Sequence, residues 1–189
     1  MEKEYHSILR DARIETESEP LKDDEMRALF KKMKHFDIEN PNNATFRLAV
    51  LLMLDTGMSL SDMVSLKAND LDFSVNVIRY RDKKMNKRLV FFGTLSEDEL
   101  MINAKQNDVI FWDDEKNEPM TEDTIRDFLN RISAELKAPD REAVTPERLQ
   151  KTFIFGMLKL GCPVKVVRRL IGVSEPSKDD AKPSKTMVC

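Results

Sequence analysis

The sequence predicts a mainly α-helical chain with one small antiparallel β-sheet, an α+β class. Apolar residues recur at helical spacing from Met26 to Ile171, whereas period-two alternation is confined to the stretch Val75–Phe92. Within that stretch the polar run Asp82–Lys87 separates two strand-like halves, which is the pattern of a hairpin.

The elements follow in order. At 189 residues, 41% hydrophobic and 34% charged, the chain makes about one domain with a core and a well-solvated surface. Residues 1–20 are polar and acidic and end at Pro20, so they read as a linker or loosely attached helix ahead of a domain over 21–172. Asp23 or Asp24 can cap a helix carrying Met26, Leu29, Phe30 and Met33. The turn Asn40-Pro41-Asn42-Asn43 leads into an apolar helix from Ala44 to Asp55, stopped by Gly57. Ser59 and Asp62 stand in a capping relation before a short helix through Met63, Val64 and Leu66.

The strands are expected over Val75–Arg81 and Arg88–Phe92. Ile78 and Tyr80 share a face, as do Leu89 and Phe91, which fits a hairpin with one packed side and Arg79 and Arg81 on the other. A short helix follows Ser96, then a brief strand Val109–Trp112. Thr121 caps an amphipathic helix with Ile125, Phe128, Leu129, Ile132 and Leu136 in one stripe. Thr145, with Pro146 at the first helical position, opens a long helix that ends at Gly161. Pro163 opens the last helix, with Val164, Val167, Leu170 and Ile171 inward and Gly172 closing it. Residues 173–189 are rich in Ser, Pro, Lys and Asp, a flexible tail or a self-association arm.

Several functional classes are excluded. The longest apolar run, Leu48–Leu54, is far short of the roughly 20 residues that span a bilayer, so no membrane partner is expected. Glu2, Lys3 and Glu4 open the chain with no apolar segment behind them, which fits a cytoplasmic protein without a signal peptide. Cys162 and Cys189 match no metal or redox spacing, so neither a metal nor a cofactor is expected.

The net charge of −3 hides a segregation. Arg79, Arg81, Lys83, Lys84, Lys87 and Arg88 lie in one stretch with Asp82 as its only acid. Arg148, Lys151, Lys165, Arg168 and Arg169 sit in a basic last third. These eleven cations are the candidate DNA contacts, because clustered Lys and Arg attract a polyanion whatever the total charge. A solvated loop explains the hairpin charges equally well. The bland alternative for Glu147 and Lys151 is a surface ion pair at i,i+4.

The order of elements and several short motifs resemble the catalytic domain of the tyrosine recombinases, or phage integrases, from about Leu21 to Ser174. Asp55-Thr56-Gly57, then Ser61-Asp62, Leu66 and Asp70-Leu71-Asp72, look like that family's first-arginine segment. The hairpin around Lys83 looks like its β-hairpin, and Thr145-Pro146 with Leu149 like its His-x-x-Arg box. Leu158, Gly161, Val167, Leu170 and Gly172 look like the helices that follow. The resemblance implies two arginines on the scissile phosphate, a hairpin lysine on the leaving oxygen, assisting histidines and a tyrosine nucleophile.

Carried onto this chain, the first arginine position holds Ser59. The His-x-x-Arg positions hold Glu147 and Gln150, the next histidine position holds Lys151 and the later one Val173. The only tyrosines are Tyr5 and Tyr80, far upstream of the nucleophile position, and Lys83 alone keeps its type. The expectation is therefore a non-enzyme: a non-catalytic double-stranded-DNA-binding protein on this scaffold, acting as a transcriptional regulator or accessory factor of a prophage or mobile element. The rivals are a protein-interaction module that partners a recombinase or forms a homo-oligomer without DNA, and a residual DNA strand transferase.

Overall fold

The apolar run after the Asn-Pro turn becomes the central helix, and the other elements pack around it. The computed structural model describes residues 1–14, 18–36, 40–136 and 142–173. The central helix, α3 (Pro41–Thr56), is capped by the Asn40 side chain, which accepts from the Asn43 N–H, and ends at Gly57 with φ +66°. Leu48 to Leu54 are all buried, so this helix is apolar around its whole circumference, as a helix enclosed by others must be. Preceding it are α1 (Glu2–Ala12) and α2 (Asp23–Lys34); following it is the short α4 (Leu60–Met63). Ser59 caps α4 by accepting from the Asp62 N–H at 3.2 Å, the local role its spacing predicted.

The sheet is β1 (Leu71–Asp72), β2 (Val77–Arg81) and β3 (Lys87–Phe91), antiparallel in sequence order. Its register pairs Arg81 with Lys87, Arg79 with Leu89 and Val77 with Phe91. Leu89 and Phe91 therefore share the outer face with Arg79 and Arg81, while Ile78, Tyr80 and Val90 face the core. The expectation that Leu89 and Phe91 belong to the packed side was wrong. The turn pairs odd with odd positions, and parity rather than hydrophobicity decides the face.

Beyond the sheet come α5 (Glu97–Gln106), a two-residue hairpin β4 (Trp112–Asp113) and β5 (Glu118–Pro119), and α6 (Glu122–Glu135). The strand expected over Val109–Trp112 is split: Val109 makes an isolated bridge to Lys67, and only Trp112 joins β4. Asp113 holds this corner to α3, accepting from Asn42 Nδ2 at 2.9 Å. The chain closes with α7 (Pro146–Lys159), lying along α3, and α8 (Val164–Leu170).

The first segment, expected to be a linker or loose helix, is an integral element. α1 packs on α7 and α8 through a second apolar cluster in which Tyr5, Ile8, Leu9 and Ile14 meet Ile154, Leu158 and Val167. Apart from Val173, the tail expected from 173 onward lies outside the described residues. Among the described residues no helix is long and apolar enough to cross a membrane.

Candidate nucleic-acid interface

Hydrogen bonds tie α7 to the corner before α4, and the β2–β3 hairpin to the end of α8. Thr145 caps α7 by accepting from the Arg148 N–H, which sets the helix so that Gln150 Nε2 donates to the Gly57 carbonyl at 2.8 Å. That bond ties α7 to the corner carrying Ser59. Asp62, on α4, lies beside Ser59, whose hydroxyl accepts from the Asp62 N–H, and near the Lys83 backbone. Burial is the main reason the Asp62 carboxyl sits above the usual carboxylate range, with Ser59 opposing it. Arg88 reaches from β3 to the end of α8, donating from Nη2 to the Arg169 carbonyl at 3.0 Å. The Tyr80 hydroxyl lies beside Arg88. Burial pushes it up to about 12, with Asp62 adding to the rise and Arg88 opposing it.

Of the positions picked out by the resemblance, Gln150 is tied to the Gly57 corner next to Ser59 and Lys83 pairs with Glu122, while Arg88 is the guanidinium between hairpin and α8. The resemblance did not single out this role for Arg88. Gly172 makes it possible. Its φ is +89°, and a Cβ there would lie 2.5 Å from Arg88 Nη2. Gly172→Ala is expected to lower stability by about 1–2 kcal/mol from the left-handed backbone and to displace the Arg88 side chain. A thermal melt, with loss of protection at the Arg169–Val173 amides, checks it.

The remaining candidates divide sharply. Arg79, Arg81, Lys83, Lys84, Lys87, Lys165 and Arg169 are exposed. Arg79 pairs with Asp72 at 2.6 Å, Lys83 with Glu122 at 2.9 Å, and Arg81 donates to the Met85 carbonyl at 3.0 Å. Arg148, Lys151 and Arg168 are buried and cannot meet a phosphate, so their assignment as DNA contacts is corrected. Segment 18–25 and residues 142–143 fold over the first turn of α7 and consume both of its cations. Arg148, 2% exposed, donates to the carbonyls of Glu19, Glu142 and Ala143 and to both Glu25 carboxylate oxygens. Lys151 Nζ donates to the Ser18 carbonyl at 2.6 Å and to its hydroxyl. Arg168 is held by Ser7 and Asp11 of α1.

The surface pair expected between Glu147 and Lys151 does not form. Glu147 accepts instead from Arg126 Nη2 at 2.8 Å; burial raises its pKa, but Arg126 outweighs that and keeps the carboxyl below its usual range. Lys151 is completely buried, and desolvation holds its ammonium below the usual lysine range. Among the described residues no group of three His, Cys, Asp or Glu is placed to hold a metal ion.

Comparison with known proteins accounts for this arrangement. The model of the phage integrase family matches residues 19–178. The tyrosine recombinase XerC of Listeria welshimeri is 30% identical over 161 residues, covering 79% of this chain and 52% of that protein. The chain thus spans about half the length of the relatives it matches. The crystal structure of XerA recombinase superposes with a TM-score of 0.71 at 18% identity, over 85% of this chain and 58% of that one. XerH recombinase bound to its difH substrate gives 0.71 at 18%, over 85% and 49%. The mainly helical fold with small antiparallel sheets is therefore that of the tyrosine-recombinase catalytic domain. These relatives are named as recombinases, and they overturn the expectation that the chain is not an enzyme.

Proposed function

The chain belongs to the phage integrase family, which matches residues 19–178, and from that premise we propose that it binds double-stranded DNA along the β2–β3 hairpin and the end of α8. Its role is that of a regulator or accessory factor of a prophage or other mobile element. One observation carries the DNA contact. Arg81, Lys84, Lys87 and Arg169 are exposed on adjoining elements, joined by the Arg88–Arg169 bond, and no described carboxylate lies within ion-pair distance of them. Exposed cations without carboxylate partners, clustered on adjoining elements, are the footprint of phosphate contacts. The Tn1549 transposon integrase has been solved in complex with a circular intermediate DNA and lambda integrase bound to a Holliday junction, which supports the reading by likeness of fold.

Anisotropy titrations with a labelled duplex across a salt series test it. Each phosphate contact contributes about 0.9 to the slope of log affinity against log salt. Changing Arg81, Lys84, Lys87 and Arg169 together to Gln is expected to remove about 3–4 from that slope. An unchanged slope, or no binding of the native chain to any duplex at low salt, sinks the proposal. Incubation with a nicked duplex reports separately on strand transfer, through a covalent protein–DNA adduct.

A second reading, association with another copy or a partner recombinase, is favoured by Leu160, an apolar side chain 82% exposed at the end of α7. Co-purification with a recombinase in the absence of any DNA shift would select it.

A further inference from the structure

The outer face of the β2–β3 sheet has a composition that packing does not explain. Leu89 is 46% exposed and Phe91 60% exposed, both on β3 and both among cations. In register, Leu89 lies opposite Arg79, and Lys87 lies opposite Arg81. Lys67, Arg79, Arg81, Lys87 and Leu89 line a groove of about 690 Å³, and Phe91 lies outside it, two residues further along the same face of β3. A sheet face turned to water is ordinarily polar, so large apolar side chains there mark a surface that something else covers.

Its charge is equally uncommitted. Among the described residues, no carboxylate pairs with Lys67, Arg81 or Lys87. Asp70, the acid at the groove's edge, accepts from the Lys67 backbone, and Arg79 is matched by Asp72. Among the described residues the groove therefore offers three cations without a carboxylate partner beside the apolar Leu89, and its occupant must carry negative charge and flat apolar surface together.

We propose that this face binds single-stranded DNA, with phosphates on Lys67, Arg81 and Lys87 and bases lying on Leu89 and Phe91. A duplex presents sugar and phosphate outward and keeps its bases stacked within, so it leaves Phe91 uncovered. An unpaired strand supplies both features at once, and base–aromatic contact of this kind is tolerant of sequence. An acidic amphipathic peptide shares the chemistry. Two of its cations, however, Arg81 and Lys87, are also among those assigned to the duplex, and that overlap favours nucleic acid. The inference extends the duplex reading: a strand unpaired beside the hairpin would pass onto the sheet.

The test compares a labelled 20-nucleotide oligo-dT, a 20-base-pair duplex and an acidic amphipathic peptide in one anisotropy assay. The variant is Leu89→Ala with Phe91→Ala, both exposed positions whose removal should leave the melting curve in place. The native chain is expected to bind oligo-dT. The double variant should weaken that binding roughly tenfold or more while changing duplex affinity by less than about twofold, since its cations are intact. Oligo-dT binding that survives the double variant unchanged overturns the proposal, as does an equal loss for both DNAs or tighter binding of the peptide than of oligo-dT. Failure of both DNAs overturns this proposal and the duplex reading together. Oligo-dT binding that responds to the variant, without duplex binding, removes the duplex reading alone.

Discussion

Arg148→Ala is expected to destabilise the chain by about 3–5 kcal/mol, the range for breaking a buried, hydrogen-bonded ion pair. Arg148 and Glu25 are almost wholly inside the protein, and the guanidinium also satisfies three backbone carbonyls. Truncation leaves the Glu25 carboxylate and those carbonyls buried together without a donor. Urea denaturation followed by helical circular dichroism gives the loss directly. Glu25→Leu with Arg148→Met should recover part of it, because removing both charges removes the unpaired one, although the carbonyls stay orphaned.

A pH dependence accompanies the same pair. Burial alone would raise the Glu25 pKa; the Arg148 side chain and the Lys22 N–H outweigh it and hold the carboxyl below its ordinary 4.5. A depressed carboxylate stabilises the fold above its unfolded pKa. That stability is lost as pH falls below about 4.5 through the lower folded value, where the unfolded state binds the extra proton first. Glu25→Gln should flatten the acid limb of the stability curve relative to the native chain.

The local chemistry of this fold was legible in the sequence, and what depended on distant chain was not. Ser59, Thr121 and Thr145 cap helices as their spacing implied, because a cap is decided within three residues. The run Leu48–Leu54 announced the central helix through its composition alone. The face of Leu89 and Phe91 was misjudged because hairpin parity follows from the turn, and apolar character was taken for burial. Arg148, Lys151 and Arg168 looked like surface charge because a helix shows one face in sequence and gives no sign of what folds over it. Their partners lie more than 120 residues earlier, Asp11 and Ser18 in the acidic lead-in that reads as a linker or loose helix and Glu25 in the helix after it. The fold itself was reachable through the resemblance, whose motifs stand in family order along the chain. The Arg88 bridge between β3 and α8 was not, since it is formed by a backbone carbonyl and the space beside a glycine.

Gly57→Ala is expected to cost about 2–5 kcal/mol, as the sum of about 1–2 for a left-handed backbone and about 1–3 for overpacking. Gly57 has φ +66°, and a Cβ there would lie 2.7 Å from Phe153 Cε1 and closer still to Cδ1. The ring belongs to α7, the helix packed along α3, so relieving the clash must turn the Phe153 ring or shift the helix that carries Gln150. Two other glycines separate the contributions. Gly161 has φ +82° with open space around it, so Gly161→Ala should show only the backbone part. Gly156 lies inside α7 with nothing within 4 Å, and Gly156→Ala should stabilise by about 0.5–1 kcal/mol. If Gly57→Ala melts no lower than Gly161→Ala, the contact with Phe153 is not as close as described. If it melts lower, the bond from Gln150 to the Gly57 carbonyl should loosen with it. The corner carrying Ser59 then loses its fixed distance from α7, and duplex affinity falls although no cation has been changed.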